Sequence, residues 1–598
     1  MKKLLAVIVL ALVVATAVWI FLRVQLANRL AAVPELLPAT TLLVVQVPDF
    51  KRTREQWHRS DLYQIWREPA VQGWLRDSLA RLPKHSGGRQ TLGDFLQLGP
   101  THSFVALTSL ENNEPKMIGG FHFDRSPEEV RTFVDQRKAE WLPKFGAAKR
   151  ETTVYEQHSI ETISVSHFIF ASVYDNHWFF VANDLAALKA LLDRVDRRGE
   201  KAASLQTNAA FTDAIRHLPN AYAGMLYLDP RPFVEKLLPL VAMTGQALPM
   251  DQLQRLKQVQ AVASAFGFDQ GEMRETDFVT MPRLSEEEKL ERRSLAAAGA
   301  NTIFYSAARL HWPENMLAGP APAGAGLPAV LQQLTAALKT RGIAGNDVRA
   351  AFGEELEMIG DWPADARWPV LQAKLPVKDA GRARKIADAL TSVEISGTPW
   401  IRTEKGGATI YRAQPFGFVP LSPGIAVSDQ MMIVGTDAAA IETAITSAAP
   451  PAGELEKSAI FQSAAKQVPA GQSAFNYVDT RLLFERLDTS LRPLLLMGAA
   501  LSPKLGKNVD PAKLPPPEAI AKHLSPIVMS QRYEGNGYVT ESIGPVTFRE
   551  ATLGLAGAIG GLFIYLQEAI RPGRGTLGPS PLFQPTPQPS PTPTASPI

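Results

Sequence analysis

The chain contains no cysteine among its 598 residues, which excludes disulfides, thiolate metal sites and a cysteine nucleophile. It also lacks an excess of either charge: 62 Lys+Arg against 59 Asp+Glu leave a formal net charge of +3. A nucleic-acid binder needs a basic stripe to neutralise phosphates, so no nucleic-acid partner is expected. Neither a P-loop, a G-x-S-x-G elbow, a G-x-G-x-x-G turn after a strand nor an HExxH pair occurs. The sequence therefore points to no catalytic, cofactor-binding or metal-ligating residue, and no cofactor is expected. Acid–base chemistry from scattered carboxylates has no linear signature, and nothing promotes a particular pair.

What is present is repetition. Phe211–Leu237 aligns without a gap on Phe461–Leu487, a constant offset of 250 that pairs Tyr227 with Tyr477 and Asp229 with Asp479. FVANDLAAL (180–188) matches IVGTDAAAI (433–441) at an offset of 253. Two copies of one fold unit make up most of the chain. With 45% apolar residues, each copy of roughly 260 residues can bury its own core.

The first residues give an address. Lys2 and Lys3 precede an unbroken apolar run, Leu4–Leu22, closed by Arg23. Nineteen residues at about 1.5 Å each match the hydrocarbon thickness of a bilayer. Ala15-Thr16-Ala17 resembles a cleavage site, yet the run continues to Leu22, which favours a retained signal anchor over a cleaved peptide. Lys2 and Lys3 keep the N-terminus cytoplasmic and leave the bulk of the chain extracytoplasmic, at the inner membrane. A second apolar run, Ala551–Leu566, reads either as a second spanning helix with a Gly557/Gly561 contact or as a core helix.

The domain reading is an anchor and stalk (1–35), a first repeat (36–295), a second repeat (296–548), the ambiguous helix (549–570) and a proline-rich, disordered tail (571–598). Each copy opens with a β-branched strand, Thr41–Val47 or Thr302–Ala307, and proceeds through helices and hairpin-linked strands. The fold class is α+β: two tandem homologous repeats, each an antiparallel sheet with helices on one face, plus the N-terminal transmembrane helix.

Three groups of side chains invite a functional reading. Asp229, Arg231 and Glu235, with Asp479, Arg481 and Glu485, fit helix caps and i,i+4 surface pairs better than a cation site. Trp57, His58, Tyr63, Trp66 and Trp74 occur only in the first copy and are the candidate contact surface for a partner or ligand, set against a helix packed on the sheet. His158, His167 and His177 cluster without metal-ligand spacing. The apolar stretches Leu237–Ala247 and Pro493–Leu501 read as core cover, membrane contact or the lining of a lipid pocket.

The anchor, the Leu37-Pro38-Ala39-Thr40-Thr41 opening and the late strand-Asp-helix unit resemble a bacterial extracytoplasmic family, domain of unknown function 3352, over roughly residues 36–545. The segment QWHRSDLYQIWREPAVQ is similar to tandem-copy members. That resemblance implies a membrane-tethered envelope protein and supplies no catalytic residues. Three functional classes stay open: a non-catalytic envelope scaffold or binding protein with an envelope protein partner, a carrier or sensor of an apolar ligand such as lipid, and an envelope hydrolase centred on the first-copy histidines.

Overall fold

The computed structural model describes residues 32–554, apart from 82–94, 97, 112–113, 146–147, 166–167, 197–202, 237–256, 285–288, 313–326, 394–398, 415–420, 447–452 and 502–513. Within them lie twenty strands of one sheet. The first half supplies β1 (Leu43–Val47), β2 (Pro100–Glu111), β3 (Glu114–Phe123), β4 (Ala148–Tyr155) and β5 (His158–Val165). It continues with β6 (Phe168–Asp175), β7 (Trp178–Ala182), β8 (Gly224–Leu228), β9 (Val262–Asp269) and β10 (Glu272–Thr280). The second half supplies β11 (Thr302–Arg309), β12 (Glu355–Asp361), β13 (Val370–Pro376), β14 (Ile401–Lys405) and β15 (Ala408–Arg412). Its remaining strands are β16 (Gly424–Val427), β17 (Met431–Gly435), β18 (Ala474–Val478), β19 (Ile527–Glu534) and β20 (Gly537–Gly544).

All pairings in the ladder are antiparallel. The first half runs β4-β5-β6-β7-β3-β2-β1-β8-β9-β10. The second runs β14-β15-β16-β17-β13-β12-β11-β18-β19-β20, the same order with ten added to each strand number. The halves meet through their last strands, β10 against β20, where Thr276 lies opposite Glu541. Each is the fifth residue of its strand, so the seam has local twofold geometry.

Successive strand residues face opposite sides of a sheet, and both sides are covered by helices. On β7, Phe179 joins a cluster with Val130 of the Pro127–Trp141 helix. Its neighbour Phe180 joins Leu188, Leu191 and Leu192 of the Leu185–Val195 helix. On β17, Met432 packs with the helices Gly345–Ala351 and Ala380–Leu390, while Ile433 packs with Ile441 of the Ala438–Thr446 helix. The expectation of helices on one face is thus corrected. A sheet with apolar side chains on both faces needs two layers of cover.

Local chemistry accounts for the boundaries. The aromatic segment expected as one helix is three: Phe50–Arg59, Asp61–Arg67 and Pro69–Arg81. Ser60 ends the first by donating its Oγ to Trp57 O (2.7 Å) and caps the second by accepting from Tyr63 N (3.3 Å). Pro69 opens the third, where its missing N–H costs no hydrogen bond. Asn176 and His177 both have positive φ, 40° and 65°, and form the two-residue hairpin turn between β6 and β7. Leu290 and Leu295 both pack in the core cluster built around Tyr305, Ile359 and Tyr477.

Among the described residues no helix is long and apolar enough to cross a membrane. The expected anchor, the tail, Leu237–Ala247, His167 and all of Ala551–Leu566 beyond residue 554 lie outside the described residues.

Candidate functional site

The two copies of the strand-Asp-helix unit differ in detail. Asp479 caps the Thr480–Leu501 helix by accepting from Leu482 N at 2.8 Å, and Arg481 pairs with Glu485 at 3.1 Å. In the first half the helix begins at Arg231, so Pro230 stands just before it. Asp229 accepts from Arg231 N (3.1 Å), and the Arg231 guanidinium turns back onto it (2.9 and 2.7 Å) instead of reaching Glu235. With both Asp229 oxygens taken, the buried Tyr227 hydroxyl has no hydrogen-bond partner among the described residues. These groups serve the chain's own backbone and one another.

The aromatic segment is a surface. Trp57 meets Tyr63 and Phe268 edge-on, and His58 stacks on Tyr63 at 4.6 Å. Trp57 and Trp66 are 37% and 41% exposed, while Trp74 is half-buried with its indole N–H unpaired among the described residues. The stretch Pro493–Leu501 also leaves Leu496 and Met497 exposed.

The histidines group differently from their spacing. His158 is buried between Asp196 (2.8 Å) and Asp175 (3.4 Å). His177 lies beside His122, and His122 and His102 both face Trp178. The His122 ring bonds Thr101 Oγ1 at 2.7 Å. Burial pushes His102 down to about 4, which keeps it neutral. No group of three or more His, Asp or Glu among the described residues is arranged to hold a metal.

A cavity of about 620 Å³ lies in the second half, a size typical of small-molecule sites. Its floor is β12 and β13, which present Asp361, Gln372 and Lys374; Met431 and Ile433 of β17 and Ala440, Ala444 and Ile445 of the adjacent helix make an apolar wall. Ser294, from the 3-10 turn Arg293–Ala297, closes one side.

Lys374 is 6% exposed, yet its ammonium makes no hydrogen bond or ion pair with any described residue. Burial lowers its pKa against the upward pull of Glu357 and Asp361. Those carboxylates are engaged elsewhere. Glu357 accepts from Ser294 N (2.8 Å), Ser294 Oγ (2.5 Å) and Tyr305 Oη (2.8 Å). Asp361 accepts from Thr302 Oγ1 at 2.6 Å, and burial raises its pKa.

The same place in the first half is solid. The ladder from Tyr227 runs through Val44, Ala106 and Ile118 to Ala182, and the ladder from Tyr477 through Tyr305, Ile359 and Gln372 to Gly435. Two residues along, Phe104–Gly120–Phe180 corresponds to Glu357–Lys374–Ile433. A Cβ on Gly120 would lie 2.6 Å from Phe180 and 3.1 Å from Phe104, so no space remains there. On the covering helix, fully buried Leu191 corresponds to Ala444 at the 253-residue offset.

Sequence reading missed this site because its residues come from three strands, a turn and a helix. One signal was available: Gln372 and Lys374 alternate on a strand whose first-half counterpart carries Ile118 and Gly120.

No protein-family model matches the chain, and no curated protein matches it. Among solved structures it is similar to crystal form III of TP0453 at a TM-score of 0.25 and 10% identity, over 44% of this chain and 83% of that one. Crystal form I of TP0453 gives a TM-score of 0.25 and 9% identity, over 43% and 82%.

Proposed function

We propose that the chain is a membrane-anchored, extracytoplasmic scaffold or binding protein without catalytic activity, built from two tandem homologous repeats. One observation carries the reading. At one position of a shared strand order, the first half packs Phe104, Gly120 and Phe180, and the second opens a polar-floored cavity over Glu357, Lys374 and Ile433. Giving up core packing and burying an unpaired ammonium both cost stability, and such local violations are expected where a site is kept. The first half is then the scaffold and the second the binding half. The exposed Trp57 and Trp66 suit an envelope protein partner, since tryptophan is enriched at interface hot spots.

The run Leu4–Leu22 behind Lys2 and Lys3 supports the address at the inner membrane, as does the resemblance to the extracytoplasmic family. The second reading, a carrier or sensor of an apolar ligand, is favoured by the apolar wall of the same cavity.

The test is native mass spectrometry of the full chain released from bacterial membranes, beside protease treatment of intact spheroplasts. The expected outcome is a spheroplast-accessible protein carrying a reproducible small-molecule mass. Recovery from the cytosol would overturn the address, and a bare mass together with turnover of model esters would overturn the binding role.

A further inference from the structure

The cavity has two unlike surfaces. Gln372 and Lys374 are two residues apart on β13, so their side chains share a face and point the same way. Neither side chain has a hydrogen bond to a described residue. Together they offer an ammonium and an amide N–H donor from which no described residue accepts a hydrogen bond. Glu357, directly across from Lys374, is held by Ser294 and Tyr305, and Asp361 by Thr302. The opposite wall is largely aliphatic, with Ile433, Ala440, Ala444 and Ile445 interrupted by Thr443.

A buried cation without a partner is among the costliest features a fold can carry. Water at the cavity would partly solvate the ammonium, but it gives the aliphatic wall nothing. An occupant that satisfies both surfaces carries a negative, hydrogen-bond-accepting head and a hydrocarbon tail. Resting on the binding role proposed above, we propose that the second-half cavity binds an anionic amphiphile, its acidic head on Lys374 and Gln372 and its tail along Ile433, Ala444 and Ile445. The small side chain of Ala444 makes the room for the tail. Its first-half counterpart, Leu191, fills the corresponding space.

The test uses the full chain in an amphipol belt, with a dansyl-labelled undecanoic acid as probe. Its fluorescence rises saturably when it enters an apolar cavity. Ala444→Leu restores the side chain of the first half and is expected to abolish the saturable rise. Lys374→Met removes the head-group partner and is expected to weaken binding about tenfold or more. The methyl ester of the probe, without a charge, is expected to bind the wild type about as weakly as the acid binds K374M. Inorganic phosphate, a head without a tail, is expected to leave the probe in place.

Thermal unfolding of both variants accompanies the titrations. A variant that melts far below the wild type is replaced by Ala440→Val or Gln372→Leu, read the same way. Unchanged binding by A444L would overturn the site. Binding lost in A444L but equal for K374M, wild type, acid and ester would overturn the acidic head. Displacement by phosphate would overturn the tail. A different small molecule in the native mass, with no saturable rise for the probe, would overturn this inference and leave the binding role standing.

Discussion

Lys374 stands directly across from Glu357 in the β12–β13 pairing, yet the carboxylate accepts from Ser294 and Tyr305 and not from the ammonium. A cross-strand pair of opposite charge usually satisfies itself. Here the acid is part of the fold's framework, and the base is left facing the cavity.

Removing a framework donor should cost stability. Tyr305→Phe takes one charge-assisted hydrogen bond from Glu357 and is expected to destabilise by about 1.5–3 kcal/mol. Tyr227→Phe, at the first-half counterpart of Tyr477 on the matching ladder, should be neutral or stabilising, because that buried hydroxyl has no acceptor among the described residues. Thermal melts of the two variants side by side would show the opposite responses.

Asp361 gives a pH signature. Burial holds its carboxyl above the ordinary value of 3.8, so the folded state disfavours the charged form. Below the ordinary value both folded and unfolded chains carry the proton, and no penalty exists. The penalty grows as pH rises through the raised folded value. Asp361→Asn keeps an acceptor for Thr302 and should melt above the wild type at pH 7.5, with the difference vanishing near pH 3.5.

His102 has the reverse dependence. Its folded value of about 4 lies below the ordinary 6.5, with desolvation and His122 lowering it and Asp49 raising it. As pH falls through 6.5 the unfolded chain takes the proton first, and stability drops until pH reaches about 4. The loss is on the order of 3–4 kcal/mol at most. His102→Phe should flatten this part of the stability–pH curve measured by urea unfolding.

The seam between the halves rests on a buried acid. Glu275 of β10 is 2% exposed and is paired with Arg549, which also reaches Asp277 at 3.5 Å. Arg549→Ala should destabilise by about 2–3 kcal/mol, less than for a fully buried pair because the arginine is half-exposed. Adding Glu275→Gln should recover much of the loss in a double-mutant cycle.

Much of the architecture was legible in the chain. The offset match of Tyr227-Leu-Asp229 to Tyr477-Val-Asp479 announced the β8 and β18 positions, which each pair with the first strand of their half. Strands rich in branched and aromatic residues, such as β7 and β17, were readable because a short unbroken apolar run and strand propensity agree there. Strand β4 was not: AKRETTVY is charged and exposed, and only its ladder to β5 makes it a strand. The caps at Asp229 and Asp479 read alike in sequence, but a single choice of partner by Arg231 separated them.

The sequence by itself determined the α+β class, the antiparallel pairing and the two-part organisation, because hydrophobic periodicity and turn chemistry act over a few residues. The cover on both sheet faces, the twofold meeting of β10 with β20 and the cavity were decided by the tertiary structure. Lys374 is ordinary in its own strand. It becomes a site residue only because Ala444 is small, Glu357 is occupied, and the ladder brings β12, β13 and β17 side by side.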